Sequence, residues 1–502
     1  MEVVNGLLDG FQIALQPYNL LFAFIGCLLG TVVGILPGLG PTATIALLFP
    51  TTINLPPVTS IIMLAGIYYG TMFGGSTTSI LVNIPGEAAS VVTCLDGYQM
   101  ARQGRAGPAL GISAFGSYIA GTIGLLLLTF IAPLLAGMAL KIGPPEFFAL
   151  MVAALMMISY LATGPLWKSL LMASFGLFIS TIGMDSITGR TRFTFGIVEL
   201  YDGIGMVPVV MGLFGVSEVL VNLEQPIAFQ IVETKLKGFF PTLRDWADSI
   251  KPIIRGTFIG FFLGILPGGG SVISSFVSYA VEKKVSKHPE RFGTGAIEGV
   301  AAPESANNSA TAGSFVPLLT LGLPSHALMA LLLGALIIHG VQPGPLLLQQ
   351  HPEIFWGTIA SMYIGNVMLL ILNLPLIPLW VQILRVPYQF LFPIILLIIL
   401  IGSYTLKNSL MDVHVMIFFG LIGYGCRKFK FDTPPLLLAL VLGPLIERAL
   451  RRSLLMSGGS LDVFVKSPFA LFFVGIVFVL LLSSVFPWLR GKQKAIERLS
   501  LK

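Results

Sequence analysis

The sequence predicts an all-α polytopic membrane protein made of two inverted structural repeats, with re-entrant hairpins, broken helices and roughly 10–12 membrane segments. Three observations predict it. The chain is too apolar for a water-soluble domain, its apolar runs recur at membrane length, and a Pro/Gly break inside one of those runs returns 230 positions later.

Of the 502 residues, 55% are hydrophobic and 10% are charged, with a mean hydropathy of +0.90. A soluble domain carries roughly 25% charged residues. Apolar runs recur from Leu20 to a last one near Phe469 to Trp488, and each crossing takes about 20 such residues. The runs are continuous rather than alternating, which makes them helices and not barrel strands. The net charge of +6, 29 basic against 23 acidic residues, is spread over short loops and the tail Arg490 to Lys502. That is the pattern of cytoplasmic positive charge in a lipid bilayer, and no nucleic-acid surface is expected. Cys27, Cys94 and Cys426 show neither a CxxC spacing nor a disulfide framework. Near the N-terminus stand acidic Glu2 and Asp9 and no basic region, so the first helix is expected to stay rather than be cleaved as a signal peptide.

The duplication carries most of the argument. GILPGLGPTATIA (Gly34 to Ala46) returns as GILPGGGSVISSF (Gly264 to Phe276). Gly75-Ser76 followed by Ile84-Pro85 pairs with Gly313-Ser314 followed by Leu323-Pro324, and Gly107-Pro108 with Gly344-Pro345. PPEF at Pro144 pairs with PYQF at Pro387, and Phe175-Gly176-Leu177 with Phe419-Gly420-Leu421. The expected organisation is therefore a first repeat in 1–225, a cytoplasmic connecting segment in 226–252, a second repeat in 253–455, and a final transmembrane helix with a basic tail in 456–502.

Basic residues orient the copies, because Lys and Arg accumulate in cytoplasmic loops. The apolar stretch Gly256 to Val281 is too short for two full spans, yet Lys251 and Arg255 precede it and Lys283, Lys284, Lys287 and Arg291 follow it. A re-entrant hairpin turning at Pro267 to Gly270 keeps both flanks inside. The first copy has no Lys or Arg before Arg102, so its hairpin can open to the outside. On the next loop the pattern swaps: Arg102 and Arg105 in copy one stand against an uncharged His339 to Gln342 in copy two. Swapped charge on matched loops marks opposite membrane orientation, and inverted repeats with discontinuous helices are a transporter architecture. A parallel duplication is the competing reading.

Backbone freed from helical bonding is tolerated at membrane depth only where it is buried in protein or lines a wet cavity. After each break a new half-helix begins, with Thr42 in copy one and Ser271 in copy two. Its exposed N–H groups and positive dipole end can hold an anion without an arginine, and unwound carbonyls are ligands for a hard cation. A polar small-residue tract follows each hairpin: GGSTTS at Gly74 leading to Asn83, and ANNSATAGS at Ala306. The candidate substrate-binding residues are thus Gly38, Gly40, Thr42, Ser76, Thr77 and Asn83 in copy one. In copy two they are Gly268, Gly269, Gly270, Ser271, Asn307, Asn308, Ser309 and Ser314. Candidate Na⁺ ligands are Gly38, Ser76, Gly268, Asn307, Asn308 and Thr311. Helix packing alone is the competing account of such tracts, but adjacent Asn307 and Asn308 point to different faces, which one interface cannot satisfy. Glu304 reads equally as a cation ligand or as a loop-edge acid. The histidines, including His326 and His339, show no metal spacing.

Several stretches carry a family resemblance: GILPGLGPTATIALLFP, GGSTTSILVNIPG followed by LDGYQMARQG, GILPGGG, and PERFGTGAIEGVAAPESANNSATAGSFVPLLTLGLP with HGVQPGPLL. Across nearly the whole chain this resembles TctA, the large membrane subunit of the tripartite tricarboxylate transporters. The basic tail Arg490 to Lys502 predicts a cytoplasmic C-terminus, and the resemblance implies a bacterial inner-membrane, multi-pass secondary transporter. It implies a small TctB-like membrane subunit and a TctC-like periplasmic substrate-binding protein as partners, and a dimer of the complex is compatible with it. It further implies symport of a di- or tricarboxylate with a coupling cation, usually Na⁺, by an elevator-like movement, with no organic cofactor and no enzymatic activity. LPS at Leu323 to Ser325 departs from the usual LPG, which leaves the particular carboxylate open.

Energetics point the same way. Importing a trivalent anion against 100 mV, inside negative, costs roughly 7 kcal/mol at about 2.3 per charge, so a passive pore would leak outward. A scarcity of buried acids favours Na⁺ over a carboxylate proton relay. The rivals are an anion channel and an intramembrane aspartyl protease. For the latter, Tyr201-Asp202 and Gly38-Leu39-Gly40 are present, but Pro41 stands where a second aspartate is required. No GxxxxGK[ST] phosphate loop occurs.

Overall fold

A computed structural model describes residues 1–36, 40–162, 164–185, 187–224, 240–384 and 388–485. Gly38 and the basic tail from residue 486 lie outside the described residues, as do 226–239 of the expected connecting segment. The described chain is helical apart from a two-stranded antiparallel hairpin, Gly183–Met184 against Thr191–Arg192. Among the described residues seven helices are long and apolar enough to cross a membrane. The tally falls below the expected number because the trailing arms of both hairpins are short, while Leu243–Ile265 and Glu298–Leu321 carry too many polar groups to count.

Each copy is built in the same order. In copy one a leading arm, Pro17–Ile35, stops at the Pro/Gly break, a trailing arm runs over Pro41–Leu48, and a long polar helix spans Pro57–Val82. In copy two the leading arm is Leu243–Ile265, the trailing arm Gly270–Val285 and the polar helix Glu298–Leu321. The leading arm of copy two begins inside the segment expected to connect the repeats, where Thr242 and Asp245 form a capping box that fixes its start. Arg255 donates to Glu282 at 2.9 Å and ties the two arms together at their open end.

The duplication is written in the packing. Gly26, Gly30 and Gly34 lie so close to the carbonyls of Met63, Ile67 and Thr71 that a Cβ on any of them would collide with its partner. Gly256, Gly260 and Gly264 meet the carbonyls of Ala302, Ala306 and Ala310 in the same way. Small residues four apart let backbones approach where lipid provides no hydrophobic drive. Each of these glycines is 230 positions from its counterpart and each carbonyl 239. Both polar helices end in a left-handed residue, Asn83 at φ 60°, ψ 28° and Gly322 at φ 66°, ψ 28°, again 239 apart. This register corrects the sequence pairing of Gly75 with Gly313 by one residue. Gly74 abuts the Thr31 carbonyl as Gly313 abuts that of Phe261, since a glycine is needed where the arm crosses.

Both polar helices are buried on every side, from Thr59 to Val82 and from Gly299 to Thr320. Compactness does not follow sequence order. One unit comprises Met1–Ala139 and Gly205–Gly425 and holds both hairpins and both polar helices. The second comprises Leu140–Ile204 and the described residues from Cys426 onward. It packs Pro144–Leu161 and Leu166–Ser180 against Pro434–Met456, where Gly176 meets the Leu436 carbonyl and Gly443 meets Ser180. Asp185, Arg192, Glu447 and Arg451 form an ion network within it.

Candidate functional site

The second break is held open by backbone geometry that favours glycine. Gly268 at φ 78° donates its N–H to the Ser325 carbonyl at 2.7 Å, and Gly270 at φ 51° faces the His326 ring. A side chain on Gly269 would strike the Leu263 carbonyl. In copy one, Gly86 lies against the Gly34 carbonyl, so in both copies the Pro-containing loop after the polar helix returns to close on its own hairpin. Gly86 and Ser325 are 239 positions apart. The LPS variant fits because it is the carbonyl of Ser325 that receives the hairpin.

Polar side chains from the two copies meet beside the second break. The Tyr68 hydroxyl lies 3.1 Å from His326 Nε2, and Ser271, Thr311 and Ser314 face the same phenol. This brings the trailing arm of copy two and both polar helices to one point. Among the described residues it holds no Lys or Arg; hydroxyls, an imidazole and the amide-rich start of a half-helix line it, with Glu87 within electrostatic reach, and those donors suit a carboxylate oxygen. Ser274 and Ser275, by contrast, donate to the carbonyls of Gly270 (2.6 Å) and Pro303 (3.2 Å) and serve the backbone.

A second polar cluster lies about one turn away along the polar helix of copy two, where Asn307 precedes Thr311. Glu304 accepts from Ser76 Oγ at 2.5 Å and from Thr93 Oγ1, with Ser113 also facing it. Glu87 accepts from the Ala89 N–H at 2.6 Å and from Asn307 Nδ2 at 3.1 Å. Glu304 is 1% exposed and Glu87 5%. The expected scarcity of buried acids is therefore corrected. Glu304 sits in the second turn of a fully buried helix rather than at a loop edge, and Glu87, two residues beyond Pro85, lies in the interior with it.

The residues singled out from sequence divide among five places. Ser271, Thr311 and Ser314 join the Tyr68 cluster, with Gly268, Gly269 and Gly270 shaping its floor. Thr311 also donates to the Asn307 carbonyl, and Ser314 to that of Ala310. Ser76 and Asn307 touch the carboxylates. Thr77 lines, with Ser76 and Ser113, a cavity of about 10 Å³. Asn308 and Ser309 turn instead to helix Ala106–Ala139, where Asn308 Nδ2 donates to Ser117 Oγ at 2.7 Å and Ser309 packs on Gly124. The adjacent asparagines face different ways, Asn307 to Glu87 and Asn308 to Ser117. Gly40 caps the trailing arm of copy one, its carbonyl accepting from the Thr44 hydroxyl at 3.0 Å. Thr42 is half-buried on the same arm, and Asn83 is exposed at a helix end whose left-handed geometry accounts for its residue type.

Sequence reasoning missed Tyr68, Glu87, Thr93, Asp96 and Ser113, and left His326 unassigned. Asp96 is fully buried and takes the N–H groups of Gly293, Gly295 and Ala296, each at 2.8 Å, with the Tyr279 hydroxyl at 2.9 Å. It fastens the glycine-rich approach to the polar helix of copy two. The available signal was position: Glu87 and Asp96 stand in a nearly uncharged stretch that runs up to Arg102.

Comparison with known proteins agrees with this architecture. The chain is 49% identical over 493 residues to an uncharacterized 52.8 kDa protein in the TAR-I ttuC′ 3′ region of Agrobacterium vitis, covering 98% of each chain. It is 51% identical over 234 residues to an uncharacterized protein in the TAR-II ttuC′ 3′ region of the same organism, covering 47% of this chain and 97% of that one. No solved structure matches. Residues 20–438 match the tripartite tricarboxylate transporter TctA family, and the chain, a multi-pass helical membrane component of a transporter, belongs to that family.

Proposed function

We propose that this chain carries a di- or tricarboxylate anion into a bacterial cell across the inner membrane, coupled to a cation gradient, Na⁺ foremost. A small TctB-like subunit accompanies it and a TctC-like periplasmic protein delivers the anion. The observation that carries the reading is the Tyr68 cluster, where a broken helix, a half-helix N-terminus and side chains of both copies converge in a buried, hydrogen-bonding niche. A carboxylate can be held there by dipoles and released again, as a carried substrate requires.

Two inverted copies give alternating access its symmetry. Supporting this, Arg105 pairs with Asp245 and Gln103 donates to the Thr294 carbonyl at 2.7 Å, gathering the charged loops of both copies on one face. His339 instead lies beside Thr52, among segments that lack Lys and Arg. The trailing arm of copy one thus ends with the uncharged loop and that of copy two ends among charged ones, which is the exchange that inversion implies. An elevator-like movement fits the gathering of both hairpins in one compact unit.

The test is uptake by cells expressing the full three-component system. Tyr68→Phe and Ser271→Ala should each raise KM for the carboxylate at least about tenfold, about 1.4 kcal/mol, at unchanged membrane abundance. An unaltered KM in both variants would remove the second hairpin tip from the anion site.

A further inference from the structure

The two buried acids bond to other groups than the anion niche does, although Glu87 lies within electrostatic reach of Tyr68, and they call for a partner of their own. Glu87 packs on Gly75 and Glu304 is bonded by Ser76, so neighbouring residues of one helix hold both acids on one side. On the other side Asn307, one turn beyond Glu304, bonds Glu87. The acids are therefore side by side. Among the described residues no Lys, Arg or His pairs with either, and burying an unneutralised ion costs several kcal/mol even after relaxation, so each acid must hold a proton or share a cation.

An independent observation points to a guest. The amide of Asn307 spends its nitrogen on Glu87, while its oxygen, in a residue 1% exposed, has no hydrogen-bond partner among the described residues. A buried carbonyl oxygen left without a donor beside two carboxylates is an oxygen ligand with a vacant lone pair. All the groups gathered here are hard oxygen donors: two carboxylates, one amide and the hydroxyls of Ser76 and Thr93. A cavity of about 10 Å³, the size of roughly one water, opens beside Ser76, Thr77 and Ser113 and is far too small for a citrate-like anion.

We propose that Glu87, Glu304 and Asn307, with Ser76 and Thr93, form a Na⁺ site separate from the carboxylate niche, and that this site couples the ion to transport. The two sites share the polar helix Glu298–Leu321, where Asn307 and Thr311 are one turn apart and the Thr311 hydroxyl donates to the Asn307 carbonyl at 3.1 Å. An ion drawing on Asn307 acts directly on the turn that presents Thr311 and Ser314 to the anion. The proposal rests on the transport reading for its purpose, and its test does not.

The test is Na⁺ binding by the detergent-purified full-length chain, with no gradient and no substrate, followed by ²²Na⁺ retention and by thermal stabilisation in NaCl against choline chloride. Wild type should bind Na⁺ and melt higher in NaCl. Glu304→Gln and Glu87→Gln should each weaken Na⁺ at least tenfold, and Ser76→Ala, a milder change that keeps both acids, should weaken it measurably. Loss of binding in these variants supports the site whether or not the wild-type complex transports. Wild-type protein indifferent to Na⁺ overturns the proposal, as does binding that stays within twofold in both Gln variants, however strong the uptake.

Discussion

Asn83 shows how a residue type can be dictated by backbone alone. At φ 60° it ends the polar helix of copy one as Gly322 ends that of copy two, and its side chain is exposed. Asn83→Gly should therefore leave uptake and melting near wild type, whereas Asn83→Val should cost about 1–2 kcal/mol of stability. Loss of uptake in Asn83→Gly at normal abundance would restore the residue to the binding site. Gly260 makes the opposite case. A methyl group there would run into the carbonyl and Cα of Ala306, so Gly260→Ala should destabilise by about 1–3 kcal/mol through overpacking, read as a lower melting temperature in detergent. At this scale the glycines and the PESANN tract were legible, because breaks and small-residue spacing are written in residue type. Tyr68 and Glu87 were not, since an isolated tyrosine or acid acquires meaning only when a residue more than 200 positions away is brought against it.

Elements are joined by a few buried acids. Asp96 binds three consecutive-loop N–H groups and so holds the start of the second polar helix. Asp96→Ala strands those donors, and at about 1–3 kcal/mol for each buried unsatisfied group it should lower the melting temperature and raise amide exchange at 293–296. Unchanged exchange there would show that the loop is held otherwise. In the second compact unit, Asp185 accepts from the Arg451 guanidinium at 2.8 and 3.0 Å and from the Ile187 and Thr188 N–H groups, which hold its carboxyl well below the usual aspartate range. With the folded value depressed, the stabilisation is complete above the unfolded value near 4 and is lost as pH falls from there through the folded one. The melting-temperature gap between wild type and Arg451→Met should be constant from pH 5 to 8 and should narrow below about pH 4. A gap that widens on acidification would contradict this. The order of arm, break, arm and polar helix could be read from hydropathy and Pro/Gly placement. The capped early start of Leu243–Ile265 could not, because charge and capping residues read as linker when no neighbour is visible.

For the whole molecule, duplication was legible from repeated motifs, but the grouping of segments into compact units was not. Sequence order suggests two successive halves, while the packing gathers both hairpins with Gly205–Gly425 and sets Leu140–Ile204 apart with the C-terminal helices. Contacts between distant segments, such as Gly176 with Leu436, decide that grouping and leave no periodic trace. Opposite orientation of the two copies, as proposed above, predicts a sided labelling pattern. Cysteines placed at Gln103 and Lys284 should react from the cytoplasmic side and one at His339 from the periplasmic side; reaction of all three from one side would leave two parallel copies.

Transport against the membrane potential is the claim on which the rest converges. A citrate-like trianion needs more cations than charges, because each charge is worth about 2.3 kcal/mol per 100 mV. The most direct measurement is carboxylate accumulation in proteoliposomes holding this chain with its partner subunits, under an imposed inward Na⁺ gradient. The internal concentration should rise above the external one and collapse when Na⁺ is equalised. Filling that stops at equal concentrations, with or without Na⁺, would contradict the account.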